Sequence, residues 1–219
     1  MIDKRTYLYE LTKELDKAFP DNRLINIVVH GHSQTRGYTT GHTVDPFCAY
    51  PNQFHKLLKH RFPFAATNVI VTGIGGECSL TGAERFERDV LCHKPDLITI
   101  DYALNDRFVD IAEVKKSWES MVGTAKKENI PVLLFTPTLD VPSAYEVDKL
   151  EELRKLEKMI IEIGNEKEVG VVQVMKAWEK YLKYTGNIED LLAGVNHASE
   201  LGHRIIANEF VSWIPYMGY

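Results

Sequence analysis

Apolar residues along this chain fall into two rhythms. Short runs with little polar alternation are separated by longer stretches in which apolar residues return every three or four positions. The first rhythm suits strands covered on both faces of a parallel sheet; the second suits amphipathic helices packed against it. The runs are LINIVV at residues 24–29, NVIVT at 68–72, LITIDY at 97–102, VLLF at 132–135 and GVVQV at 170–174. Between them the helical spacing predicts helices over residues 1–19, from Pro51 to Phe62, over 80–93, 111–127 and 144–168, around Trp178 and Tyr181, and over 200–213. Breaks fall at Pro20, Pro63 and Pro95, where helices stop, and Pro131 introduces the fourth run.

Short apolar strands alternating with helices give a three-layer α/β/α sandwich around a five-stranded parallel sheet, since parallel strands need crossovers of one hand. In the flavodoxin-like order 2-1-3-4-5, strands two, one and three are neighbours. Ligands of such sheets bind beyond the carboxyl ends of the strands, so the residues that follow these three runs are where chemistry is expected.

The first run ends at Gly31, His32 and Ser33 and passes into a polar loop over residues 34–45, suited to facing a substrate. Ser33 is the candidate nucleophile. Its setting is not the Gly-x-Ser-x-Gly elbow, because Thr35 stands where the second glycine would be. The second run ends in GIGGE, which contains Gly76, and the third in Ala103, Leu104, Asn105 and Asp106. A serine hydrolase needs a base for the hydroxyl proton and donors for the oxyanion. Gly76 offers a backbone N–H, Asn105 an amide, and His197, in the loop before the last helix, an imidazole that can reach back to Ser33.

The 219 residues, 44% hydrophobic and 26% charged, fit one globular domain over residues 1–219. A net charge of -5, with no basic cluster interleaved with aromatics, argues against nucleic acid as a partner. No apolar run reaches the roughly 18 residues that span a bilayer, and the N-terminus does not read as a secretory signal, so a cytoplasmic protein is expected. Cys48, Cys78 and Cys92 are odd in number and show no Cys-x-x-Cys spacing, which predicts free thiols.

Four blocks in order, Gly31-His32-Ser33, Gly76-Glu77, Asn105-Asp106 and His197 within AGVNHASELGHRIIA, resemble those of the SGNH hydrolases, also called GDSL-type esterases and lipases. The resemblance covers most of the chain. It implies that Ser33 is the nucleophile and, through its own N–H, the first oxyanion donor, with Gly76 and Asn105 completing the hole and His197 as base. His32, Asp106 and Tyr38 are expected at the substrate. The chain departs from the family pattern in several places. His32 replaces the aspartate before the serine, Ala103 replaces a glycine, and Ala198 replaces the proline after the histidine. The carboxylate usually found about three residues before that histidine is missing, since Ala193, Gly194, Val195 and Asn196 fill the interval. A backbone carbonyl of that loop is expected to hold the second ring nitrogen of His197, with Asp190 as the alternative third member.

The leading expectation is thus a serine esterase that removes a small acyl group, acetyl for instance, from a carbohydrate-like or other small polar ester, without a cofactor. Two rivals stand beside it. One is a non-catalytic ligand-binding protein of the same fold, its turnover lost with the acid. The other is a metallohydrolase using the His-x-His pair His30 and His32, although the barrel that usually carries such a pair needs about 250 residues. The partner expected is a small-molecule ester, and a homo-oligomer is left open.

Overall fold

The computed structural model describes residues 2–215. Five strands, β1 (Leu24–Gly31), β2 (Ala66–Val71), β3 (Leu97–Asp101), β4 (Val132–Phe135) and β5 (Gly170–Val172), form one parallel sheet in the order β2-β1-β3-β4-β5. Ile27 of β1 pairs with Val69 of β2 on one side and Leu97 of β3 on the other. The near-continuous apolar runs are explained by the two cores they serve. Ile25, Ile27 and Val29 point into one core and Val28 into the other; Leu133 and Phe135 of β4 oppose Val132 and Leu134 in the same way. Period-two alternation thus survives in direction but not in polarity, because both faces of the sheet are covered.

The helices are α1 (Tyr9–Leu15), α2 (Ser33–Arg36), α3 (Tyr50–Arg61), α4 (Ser79–Glu84), α5 (Phe86–Asp89), α6 (Ala103–Asp106), α7 (Ile111–Lys127), α8 (Val141–Tyr145), α9 (Val147–Glu166), α10 (Val174–Thr185) and α11 (Glu200–Val211). Residues of α1, α3, α10 and α11 fill one core, and residues of α5, α7 and α9 the other. Phe54 of α3 stacks on Phe210 of α11 with ring centroids 3.6 Å apart. That stack fastens α11, and with it the preceding loop, to the layer that flanks β1.

Three helices differ from their predicted extents. The first is α1 alone, shorter than residues 1–19, of which Met1 lies outside the described residues. The stretch 80–93 breaks into α4, α5 and a 3-10 turn because Arg85 leaves helical geometry (φ -104°, ψ 4°) to bury its guanidinium against Glu77. The stretch 144–168 starts earlier and divides at Glu146. Asp140 caps Ser143 N–H at 3.0 Å in a capping box that opens α8, a start signal the apolar stripe does not contain. No helix among the described residues is long and apolar enough to cross a membrane.

Candidate active site

The buried run of β1 ends where it must turn sharply. A Cβ on Gly31 would lie 2.4 Å from the Asp101 carbonyl oxygen of β3, so only glycine lets the two strand ends pass. His32 is extended, Ser33 opens the single turn of α2, and Gly37 closes it at φ +77°, where any Cβ would meet the Asp45 carbonyl at 2.2 Å. Ser33 therefore stands on a rigid strand-to-helix corner with its N–H making no hydrogen bond among the described residues.

His197 reaches this corner from the far end of the chain. Leu192 and Ala198 pair across a short antiparallel bridge, Ala193 N–H donates to the His197 carbonyl at 2.8 Å, and Gly194 at φ +92° makes the turn. The side chain of Gln34, buried beside Ser33, holds both flanks of the histidine. Its amide donates to the Asn196 carbonyl at 3.0 Å and accepts from Ala198 N–H at 3.1 Å. So held, His197 Nε2 lies 3.2 Å from Ser33 Oγ. Burial holds the imidazole below its usual pKa, and His42 adds to the effect. A neutral ring with one nitrogen on a serine hydroxyl is the arrangement a general base requires.

The other ring nitrogen of His197 has neither of the two partners expected for it among the described residues. No backbone carbonyl of the 193–196 loop accepts a hydrogen bond from Nδ1, and neither does a carboxylate among the described residues. Asp190 turns elsewhere: its carboxylate accepts from Tyr181 at 3.2 Å and from Asn187 at 3.4 Å, and it is exposed. Across the hairpin Asp190 meets Ser199, whose O–H donates to the Asp190 carbonyl at 2.6 Å, while His197 faces Ala193. The ring is instead positioned by its backbone, through Gln34, and by the Tyr38 ring, 5.9 Å away between centroids.

Gly76 and Asn105 follow β2 and β3, the two neighbours of β1. Gly76 sits at φ +77° with open space where a Cβ would be, and its N–H makes no hydrogen bond among the described residues. One Asn105 amide hydrogen goes to the Glu77 carbonyl at 2.9 Å, which ties the two loops together and leaves the second hydrogen to donate. Beneath them, Glu77 pairs with Arg85 through Nε at 2.7 Å and Nη2, and accepts from Tyr102 O–H at 2.9 Å. Beyond Glu77 in the Gly76-Glu77 block, that buried network had no signature in the sequence. Nor did Gln34, an amide in a polar loop.

Tyr38 lies beside His197, with ring centroids 5.9 Å apart. Its ring also packs on the glycine turn after β2, so that a Cβ on Gly75 would come 2.7 Å from its Cζ. Asp106 and His32, also expected at the substrate, are both buried. Asp106 is fully buried and accepts from Ser79 N–H at 2.7 Å and Trp118 Nε1–H at 2.7 Å, so it fastens α4 to α7; burial pushes its carboxyl up to about 6. His32 is buried behind Ser33, because the corner turns its side chain inward. The His30 and His32 pair does not make a metal site either. Both nitrogens of His30 are taken, by Thr72 Oγ1 at 2.8 Å and by the Gly82 carbonyl and Tyr102 O–H at 3.1 Å. Among the described residues no group of three or more potential ligand side chains converges. Cys48, Cys78 and Cys92 are free.

Residues 29–205 match the profile of the GDSL-like lipase/acylhydrolase family. Among curated proteins no sequence matches. Several solved structures share the fold. Axe2, an acetylxylan esterase from Geobacillus stearothermophilus, superposes with a TM-score of 0.77 at 22% identity, covering 88% of this chain and 94% of its own. It has also been solved as catalytic mutants in which a histidine or a serine is replaced by alanine. The lipase/acylhydrolase from Enterococcus faecalis gives 0.73 at 25% identity, covering 85% of this chain and 93% of its own. LAE5, an alpha/beta hydrolase enzyme from the metagenome of Lake Arreo, Spain, gives 0.77 at 19% identity over 94% of this chain and 100% of its own.

Proposed function

Because this chain belongs to the GDSL-like lipase/acylhydrolase family and is a hydrolase of the esterase kind, we propose that it removes a small acyl group, acetyl in the first instance, from a carbohydrate-like or other small polar ester through an acyl-enzyme on Ser33. The observation that carries this reading is the 3.2 Å contact between Ser33 Oγ and His197 Nε2 at the carboxyl ends of the strands.

In the first half-reaction His197 Nε2 takes the Ser33 proton as Oγ bonds to the ester carbonyl carbon. The oxyanion is received by the free N–H groups of Ser33 and Gly76 and by the second Asn105 amide hydrogen. Collapse expels the alcohol, protonated by His197. In the second, His197 deprotonates a water that attacks the acyl carbon, and the carboxylic acid leaves with Ser33 restored. Small size of the acyl group is supported by Tyr38, whose ring bridges from the Gly75 turn to His197 and narrows the space beside Ser33. The acetylxylan esterase likeness points the same way. Three free thiols suit a reducing compartment, and on that ground we place the enzyme in the cytoplasm.

Purified protein should hydrolyse short-chain acyl esters and acetylated sugars, and a fluorophosphonate should label Ser33. Ser33→Ala should keep its melting temperature while losing activity by several orders of magnitude. Hydrolysis within about tenfold of wild type in that variant would rule out the serine mechanism.

A further inference from the structure

Ser33 Oγ touches a second imidazole. His32 Nδ1 lies 3.2 Å from it, the same distance as His197 Nε2. A hydroxyl has one proton and two lone pairs, so only one of the two rings can accept from it and the other must donate. We propose that His32 is a positioning residue: its Nδ1–H donates to Ser33 Oγ and thereby keeps the serine proton directed at His197. The inference rests on the acyl-enzyme reading above.

Three observations assign the roles this way round. First, the two rings differ in basicity. His32 is buried completely and its pKa is driven down to about 3, by burial first and by His197 second, whereas His197 is only half-buried. A ring that resists protonation that strongly is a poor acceptor for a proton in transfer, so His197 takes the base's part. Second, neutral His32 carries one N–H, and only one of its nitrogens has a hydrogen-bond partner. Nε2 makes no hydrogen bond; the nearest carboxyl oxygen, Asp101 Oδ1, stands 3.8 Å away. An N–H buried there would be unpaired, while at Nδ1 it meets Ser33 Oγ. Third, Asp101 does not draw the proton to Nε2. Its other oxygen accepts from Tyr50 O–H at 3.0 Å, and burial, with the Asp106 carboxylate adding to it, pushes its carboxyl up to about 7.

The arrangement accounts for the departure at this position. Where the family pattern has an aspartate before the serine, this chain has a donor aimed at the nucleophile's oxygen. As negative charge grows on Oγ during proton transfer, that donated bond strengthens, and the Ser33 rotamer is fixed without help from a carboxylate behind His197.

The direct test is the tautomer of His32 in the wild-type protein, read by 15N NMR of histidine-labelled enzyme at neutral pH. Protonated Nδ1 with bare Nε2 is expected, and the reverse overturns the proposal. Kinetics supply an independent arm. His32→Leu removes the donor, and a hydrogen bond to a charged group is worth about 10- to 100-fold, so kcat should fall by that factor with KM nearly unchanged. His32→Asn places an amide N–H close to where Nδ1–H stood and should restore most of the lost kcat. If His32→Asn is as inactive as Ser33→Ala, His32 is the base and the proposal is wrong. If His32→Leu turns over as wild type, the donor does nothing and the proposal is equally wrong. Should His32→Leu not fold, the NMR measurement and His32→Asn decide. Activity surviving in Ser33→Ala would instead defeat the acyl-enzyme reading itself, a different outcome from a dead Ser33→Ala beside a fully active His32→Leu.

Discussion

His197 has to do a base's work with no carboxylate on its far nitrogen, and the consequences are confined to a few atoms. In a serine triad the carboxylate fixes the imidazole tautomer and steadies the imidazolium, and its amide replacement costs about 10⁴-fold. Here the ring is placed by backbone: Gln34 grips the peptide on either side of it, and Tyr38 borders its face. Its titration follows from its surroundings. Burial lowers its pKa from the usual imidazole value near 6.5, and no nearby carboxylate opposes that shift. A base must be neutral to act, so kcat/KM should fall on the acid side through a pKa below 6.5 and stay level from there to neutrality. A limb centred above 7 would mean that an acid does stand behind the ring. Asp190→Asn should leave turnover near normal, since its carboxylate serves Tyr181 and Asn187, while His197→Ala should collapse it. Loss of three or more orders of magnitude in Asp190→Asn with the fold intact would restore Asp190 to the mechanism.

Among the elements, the site is three adjacent strand exits whose loops are tied to one another. The glycine turn after β2 is fixed to the exit of β3 by the Asn105 amide on the Glu77 carbonyl, and from below by the Glu77, Arg85 and Tyr102 network. Asn105→Ala therefore removes a donor and loosens the loop that carries another. The first loss acts on the transition state and is worth on the order of 10²- to 10³-fold in kcat. Steady-state kinetics on a short acyl ester should show kcat falling by at least that much, with KM moving far less; the reverse would make Asn105 a binding residue. Strand exits were the part of this arrangement most legible in the sequence, because an apolar run ending in glycine, serine or asparagine marks the exit directly. The flavodoxin-like strand order, one of those that right-handed crossovers allow, brings Ser33, Gly76 and Asn105 to one crest. What pattern could not convey was direction of side chains past the strand end. His32 and Asp106 sit within the same motifs as Ser33 and Asn105, yet the corner at Ser33 and the single turn of α6 rotate them inward. The contact between Ser33 and His197, which are 164 residues apart, depends on Gln34 and on the stacking of α11 against α3, neither of which leaves a local signal.

Across the whole molecule, covering both faces of the sheet has buried several titratable side chains, and their balance sets how stability varies with pH. His30, His32 and His203 are driven by burial to about 4, 3 and 3, well under the value near 6.5 that they recover on unfolding. Each therefore takes up a proton when the chain unfolds at any pH between its two values, and stability from this source is lost as pH falls below about 6.5. His55 and His197, less deeply buried, act in the same direction. Asp101 and Asp106 oppose them. Burial raises them to about 7 and 6 from 3.8, so in the same window each gives up a proton on unfolding and stability rises as pH falls. At pH 5 the three buried histidines outweigh the two carboxyls by about one proton, which gives a slope of roughly 1.4 kcal/mol per pH unit. The protein should be most stable at or slightly above neutral pH and lose melting temperature steadily toward pH 4.5. His203 is the group to test, because neither of its ring nitrogens is hydrogen-bonded and it is distinct from the Ser33 and His197 pair. Removing it brings the histidine and carboxyl contributions close to balance. His203→Leu should therefore flatten the dependence of the unfolding free energy on pH between 4.5 and 6, whatever it does to stability at pH 7. Denaturant titrations of both proteins at a series of pH values measure the slopes directly, and an unchanged slope in the variant would mean that His203 is not held neutral in the folded chain.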